Sequence, residues 1–247
     1  PGSSLKGRAR SLLELALGLD LNTTEGKIYY HMRVVRNSIV DEDPYCPVDN
    51  VFGTASVQPH LVSEEKHKTL VEKCWAPTRA IFRDLYPSRE YVERLVKAKG
   101  TVAFEDFLEE KWENRIDRVT SAADPRNALR IKPGVEFEGE ITFLVFDLDV
   151  CKRKECDELS RYKFDYPARE YFRYLLEALT LVEETYLGAS GTRGYGNVRF
   201  KEIEAYFHDV VAMKSEQIMN KKWNTLAEFK QDILNSDIWD RLRKACQ

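Results

Sequence analysis

Long apolar runs are missing from this chain of 247 residues: none approaches the ~18 consecutive apolar residues of a membrane span. No secretory signal pattern, internal repeat or low-complexity tract is visible. A GxxxxGK[ST] run is absent, which argues against a nucleotide P-loop, and no GxSxG elbow is present for a serine nucleophile. Cysteine is sparse, with five scattered residues, so reduced thiols in a cytoplasmic protein are expected. No CxxC or HxxxH spacing occurs. Cys46, His60, His67 and Cys74 could hold zinc in principle, but their spacing does not favour it, and Cys151 with Cys156 is no better. Neither sign of charge dominates: 38 Lys and Arg against 41 Asp and Glu give a net charge of −3. Any nucleic-acid site must therefore be a local patch.

Glycine is concentrated where it is present. Gly188-Ala189-Ser190-Gly191-Thr192-Arg193-Gly194-Tyr195-Gly196 places four glycines, an Arg and a Tyr in nine residues. Such a loop can turn backbone N–H groups toward an anion, with Arg193 as a fixed charge beside them. Phe172, Leu175, Leu176, Leu179, Val182 and Tyr186 recur at helical spacing, predicting a helix over 168–187. Val198, Phe200, Ile203, Ala205 and Phe207 predict an extended strand after the loop. A dinucleotide-binding loop has the reverse order, strand then helix. A plain helix-to-strand turn competes evenly with contact to a phosphate backbone.

The first residues predict a second anion site. Pro1-Gly2-Ser3-Ser4 is a turn with helix caps, followed by Leu5, Ala9, Leu12, Leu13, Ala16 and Leu17 on one helix face. Lys6, Arg8 and Arg10 crowd the positive end of the dipole, and Gly7 invites close approach. A solvated basic face is the competing reading. A third basic cluster, Arg115, Arg118, Arg126, Arg130 and Lys132, brackets the small polar stretch Thr120–Arg126. That suits a phosphate backbone, or a solvated loop balanced by neighbouring acids.

Arg79–Tyr86 reads as a strand, Arg89–Lys97 as a helix ended by Gly100, and 135–149 as the clearest strand region. Residues 226–242 suggest two short helices. The order is helix, strand, strand, helix, strand. That is an α+β, ferredoxin-like (RRM-like) unit without its first strand, so residues are expected before Pro1. His31 beside Tyr29 and Tyr30 is a weak candidate acid/base group. Asp147 and Asp149 could hold Mg²⁺ as in a palm-like nucleotidyl-transfer enzyme, although Asp at a strand end is also ordinary turn material.

Several stretches occur together in order: Pro1-Gly2-Ser3-Ser4-Leu5-Lys6-Gly7-Arg8, Ile81-Phe82-Arg83-Asp84, Glu113–Thr120 with Ala123–Arg126, and Gly188–Gly196. The set resembles the repeated backbone subunit of type III-A CRISPR effector (Csm) complexes, in the RAMP superfamily. The resemblance covers Pro1 to about Phe207, and the tail leaves room for a type III-D or III-E relative. It implies a ferredoxin-like core over 1–18 and 77–207, with a lid insertion at 19–76 and a thumb hairpin at about 110–135. A helical C-terminal appendage would occupy 208–247.

Copies of such a subunit would stack along CRISPR RNA in an antiviral ribonucleoprotein with other type III subunits and target RNA. Ser3, Ser4, Lys6, Gly7, Arg8 and Arg10 would line the guide, joined by Gly191, Arg193, Gly194, Tyr195 and Gly196. Arg118, Thr120 and Arg126 would belong to the thumb. The family also cuts target RNA with a divalent metal such as Mg²⁺ and an Asp expected upstream of Pro1, so no catalytic residue is assigned to this chain.

Overall fold

A computed structural model describes residues 1–36, 38–55, 62 and 64–244. The chain divides into two compact units, Arg83–Glu140 with Pro1, and the remainder. In chain order the elements are α1 (Gly2–Ala16), β1 (Val34–Val35), β2 (Ser38–Ile39), α2 (Pro47–Phe52) and α3 (Glu65–Thr69), which runs into a π-helical turn at Leu70–Cys74. Then follow β3 (Ala80–Phe82), β4 (Tyr86–Pro87), α4 (Arg89–Lys99), β5 (Leu108–Ile116), β6 (Ala123–Ile131), β7 (Phe137–Glu138) and β8 (Ile141–Phe143). The chain continues with α5 (Asp147–Val150), α6 (Lys154–Leu159), α7 (Pro167–Glu184), β9 (Tyr206–Asp209), β10 (Lys214–Gln217), α8 (Leu226–Leu234) and α9 (Ile238–Lys244). The class is mixed α+β.

The larger unit is built around α7. Pro167 sits in its first turn, where a missing N–H costs nothing. Tyr171, Leu175, Leu176, Ala178, Leu179 and Val182 are buried along it. Each large apolar side chain so buried contributes about 1.5–3 kcal/mol. Leu5, Ala9 and Leu13 form the matching buried stripe of α1, which packs on α7. The helices α8 and α9 also pack here: Ile238 and Trp239 share a core cluster with Tyr166 and Ala168. The indole N–H of Trp239 donates to the Ile233 carbonyl at 2.8 Å.

The strands pair only two by two among the described residues: β1–β2, β3–β8, β4–β7, β5–β6 and β9–β10, all antiparallel. The strand expected over 198–207 is corrected accordingly. Apart from an Ile203–Trp223 bridge, it finds no ladder partner until Tyr206, where it pairs forward with β10. Instead, the N–H of Phe200 donates to Glu183 Oε1 at 2.6 Å, drawing the segment back along the end of α7. A strand exists only when a neighbour supplies hydrogen bonds, whatever its apolar pattern.

The expectation that the cysteines are reduced is also corrected. Cys74 and Cys156 are bonded to each other across 82 residues, tying the turn after α3 to α6. Cys46 is a buried free thiol. Closing a loop of that length removes about 4–5 kcal/mol of chain entropy from the unfolded state. Guanidinium unfolding is expected at a clearly lower midpoint with dithiothreitol than without it. Equal midpoints would show that the bond adds no stability.

Candidate nucleic-acid interface

The helix α1 starts at Gly2, so Ser3 and Ser4 lie in its first turn rather than ahead of it as caps. Both are exposed, and with Gly7 they form an open strip opposite the Leu5–Ala9–Leu13 stripe. A Cβ at Gly7 would meet nothing within 4 Å, so the chain's own packing does not require glycine there. The bare helix surface is available to an approaching molecule. Lys6 is half-buried beside this strip, and burial, then the charge of Arg10, lower its pKa. An anion at the N-terminal turn would offset both that repulsion and the positive dipole end.

The remaining basic residues of α1 face inward partners. Arg10 bonds Glu14 Oε1 at 2.7 Å, the Gly53 carbonyl at 2.6 Å and the His31 carbonyl at 2.7 Å. It fastens the 19–76 region to α1. Arg8 donates from Nε to the Tyr186 carbonyl at 3.0 Å, and its guanidinium carbon lies 4.0 Å from the centre of the Tyr186 ring. The helix α1 and the start of the glycine loop are thus in direct contact, although 178 residues separate them.

In the loop, Gly191–Arg193 forms a single 3₁₀ turn. Thr192, Arg193 and Gly194 are exposed, whereas Gly191, Tyr195 and Gly196 are half-buried. The amides of Arg193 and Gly194 bond the carbonyls of Ser190 and Gly191, both at 2.9 Å, so these two N–H groups are engaged within the turn. Arg193 also donates to Ser190 Oγ at 2.7 Å. The Leu187 amide bonds the Gly196 carbonyl at 2.8 Å and closes the loop. Gly196 takes a φ of +73°, and a Cβ there would collide with the Leu187 carbonyl.

Arg118, Thr120 and Arg126 belong to the other unit, on the hairpin of β5 and β6. The hairpin turn is held by Asp117, which accepts from the Val119 and Thr120 amides and from Thr120 Oγ1 at 2.9, 2.7 and 2.9 Å. Residues 123–126, expected as loop, are paired strand. Arg115 pairs with Asp124 at 2.8 Å and Arg130 with Glu109 at 2.5 Å, whereas Arg118 and Arg126 have no ion-pair partner among the described residues. Trp112 (65% exposed) and Leu129 lie on the hairpin's other, apolar face.

Two chemical candidates are revised by the geometry. Asp149 is 1% exposed, and both its carboxylate oxygens bond Arg79, at 3.1 and 2.5 Å. One of them also accepts the Phe146 amide. Asp147 is exposed on the same short helix. The palm-like metal pair is therefore overturned: one carboxylate is neutralised in the core. His31 is 3% exposed, which removes it as an open acid/base group. Its Nε2 lies 3.1 Å from Asp41, 3.3 Å from Asp49 and 3.5 Å from the Cys46 sulfur. Burial opposes its charge, but hydrogen bonds to these three groups prevail and push its pKa up to about 12. The Asp41 carboxyl resists burial in the same way and is held low by His31 and the Asp43 amide.

His31, Asp41, Cys46 and Asp49 bring their ligand atoms within 4.8 Å of one another, a set able to hold a metal ion. Asp41 Oδ2 and Asp49 Oδ2 face the His31 ring, and Asp49 Oδ2 also lies 3.3 Å from Nε of the buried Arg33, whereas Asp49 Oδ1 is buried with no hydrogen-bond partner among the described residues, which leaves one acceptor open to a cation. Of the four candidate zinc ligands, only Cys46 belongs to this set. Cys74 is oxidised, His67 pairs with Glu42 at 2.7 Å, and His60 lies outside the described residues.

A family model for the RAMP superfamily matches residues 1–199. The chain belongs to the RAMP superfamily. It is 34% identical over 204 residues to the CRISPR system Cms endoribonuclease Csm3 of Methanothermobacter thermautotrophicus, covering 83% of this chain and 67% of that protein. The proteins of the same description from Methanocaldococcus jannaschii and Streptococcus thermophilus are 30% and 27% identical over 207 and 205 residues. Each alignment covers 83% of this chain, with 63% and 70% of those relatives. The chain thus spans about two thirds of the length of the relatives it matches. Among the described residues of this RAMP chain, no helix is long and apolar enough to cross a membrane.

Proposed function

We propose that this chain is the repeated backbone subunit of a type III CRISPR effector complex, gripping guide RNA by its sugar–phosphate spine. The observation that carries the reading is the contact between α1 and the glycine loop through Arg8 and Tyr186. It sets the exposed strip of Ser3, Ser4 and Gly7, with the half-buried Lys6 beside it, on an element that touches the base of the loop bearing Arg193, Gly194 and Tyr195. Sites of this composition bind phosphates without reading bases. Arg10 supports the strip from behind, by anchoring the 19–76 region as a lid. Arg118, Thr120 and Arg126, on the 108–131 hairpin as a thumb, would meet guide and target strands. The α+β class fits the ferredoxin-like core that the RAMP family implies. Copies of the chain and other type III subunits are its partners in the cytoplasm.

Target cleavage would belong to the assembled complex with a divalent metal such as Mg²⁺, and no residue of this chain is assigned to that metal. Single-stranded RNA should bind with several phosphate contacts, log K falling with log [salt] at a slope of about −0.7 per contact. Binding insensitive to salt would contradict the reading.

The buried His31, Asp41, Cys46 and Asp49 set is the natural place for a structural zinc. Zinc there would take the place of the proton on His31, beside the Arg33 guanidinium that already faces Asp49. Elemental analysis of the protein purified without chelator is expected to find about one zinc per chain, lost on joint Cys46→Ala and Asp49→Ala replacement. Zinc-free, folded protein would refute the assignment.

A further inference from the structure

We infer that Arg8 acts on RNA through Tyr186, as a positioning residue for the glycine loop, rather than as a phosphate contact. The inference rests on the proposed RNA interface. Arg8 is half-buried, and it meets Tyr186 in two ways at once: Nε on the carbonyl at 3.0 Å and the guanidinium carbon over the ring, 4.0 Å from its centre. A third contact reaches Thr185 Oγ1 at 3.4 Å. The same ring rests on Gly191, the first residue of the 3₁₀ turn, so closely that a Cβ there would fall inside it.

The phenol ring therefore joins helix α1 to the turn that presents Arg193. Only a residue without a side chain fits at position 191. Among the described residues, no hydrogen bond or ion pair of the Tyr186 hydroxyl is seen, so the ring and the backbone carbonyl carry the contact. Arginine is needed for both interactions, because a lysine ammonium is a single compact charge and cannot lie over the ring while a separate N–H of the same side chain donates to the carbonyl.

The test uses the whole chain, a fluorescein-labelled single-stranded RNA, and hydrogen exchange of the Gly188–Gly196 amides without RNA. Arg8→Lys and Tyr186→Leu are each expected to weaken RNA binding about tenfold, by lowering the fraction of chains with a competent loop. The double variant should be no weaker than either single one. Tyr186→Phe should bind as wild type. Exchange in the loop should rise in Arg8→Lys and Tyr186→Leu and stay unchanged in Tyr186→Phe, with melting temperatures alike.

If Arg8→Lys binds RNA as wild type does, or the two losses add, Arg8 is a charge contact and the inference is overturned. Unchanged loop exchange in Arg8→Lys overturns it independently of any RNA result. By contrast, if Lys6→Ala with Arg193→Ala leaves RNA binding intact while loop exchange responds as stated, the interface reading fails and the positioning role stands.

Discussion

Asp149→Ala is expected to destabilise the larger unit by about 3–5 kcal/mol, because it strands a buried guanidinium. Arg79 is 0% exposed and enclosed by the Phe146 and Tyr171 rings. Its remaining contacts are Asn50 Oδ1 at 2.7 Å and the carbonyls of Ala76 and Pro77 at 3.4 and 3.2 Å. These are neutral acceptors and cannot replace a carboxylate. The loss would also free the Phe146 amide that opens α5. Asp147→Ala, at an exposed neighbour on the same helix, should change stability by less than about 0.5 kcal/mol. Urea denaturation followed by circular dichroism separates the two. Equal midpoints would show that the Arg79–Asp149 pair is not the buried tie described above.

Lys6→Ala combined with Arg193→Ala should lower affinity for single-stranded RNA by about a hundredfold, taking roughly 1.4 kcal/mol per charge-assisted contact. The salt slope should flatten by about 1.4, from two lost contacts at about 0.7 each. The two residues come from opposite ends of the sequence, on elements that the Arg8–Tyr186 contact joins. Lys6 has its pKa lowered by burial and by Arg10, and a bound phosphate would offset both while giving the ammonium a partner. Arg89→Ala, on exposed α4 where Arg89 pairs with Glu93 of its own helix, should leave both quantities unchanged. Fluorescence anisotropy across a salt series gives both numbers.

Local signals were legible in the sequence. The α7 stripe stands out by its 3.6-residue spacing. Helix α4 is bounded by Ser88, whose hydroxyl accepts the Tyr91 amide, and by Gly100 at φ 83°. Leu226, Phe229 and Ile233 mark α8, and Ile238 with Leu242 marks α9, for the same reason. Features that depend on distant partners were not legible. Residues 110–118 look like a solvated charged stretch, because one face of β5 carries charges that pair along and across a two-stranded ribbon and Trp112 and Ile116 on its other face stay exposed. The Val198–Phe207 pattern is apolar enough for a strand but lacks a neighbour over most of its length.

The site was legible by residue type and less so by role. Sequence places Arg8 and Arg10 beside Lys6, yet both turn to partners many residues away. The metal-capable set escaped notice because Asp41 and Asp49 share it with Cys46 and His31, and no two cysteines mark it. The one available signal was the acidic run around Cys46, Asp41-Glu42-Asp43 with Asp49, in a region otherwise read as a loop.

Ultraviolet cross-linking of the chain to single-stranded RNA, with mass-spectrometric mapping of the adducts, addresses the grip on the RNA spine most directly. Adducts are expected on the peptides holding Ser3–Lys6 and Thr192–Tyr195, with competition by any unlabelled RNA sequence suppressing both together. Adducts confined to other surfaces, with these two peptides unmodified at saturating RNA, would contradict it.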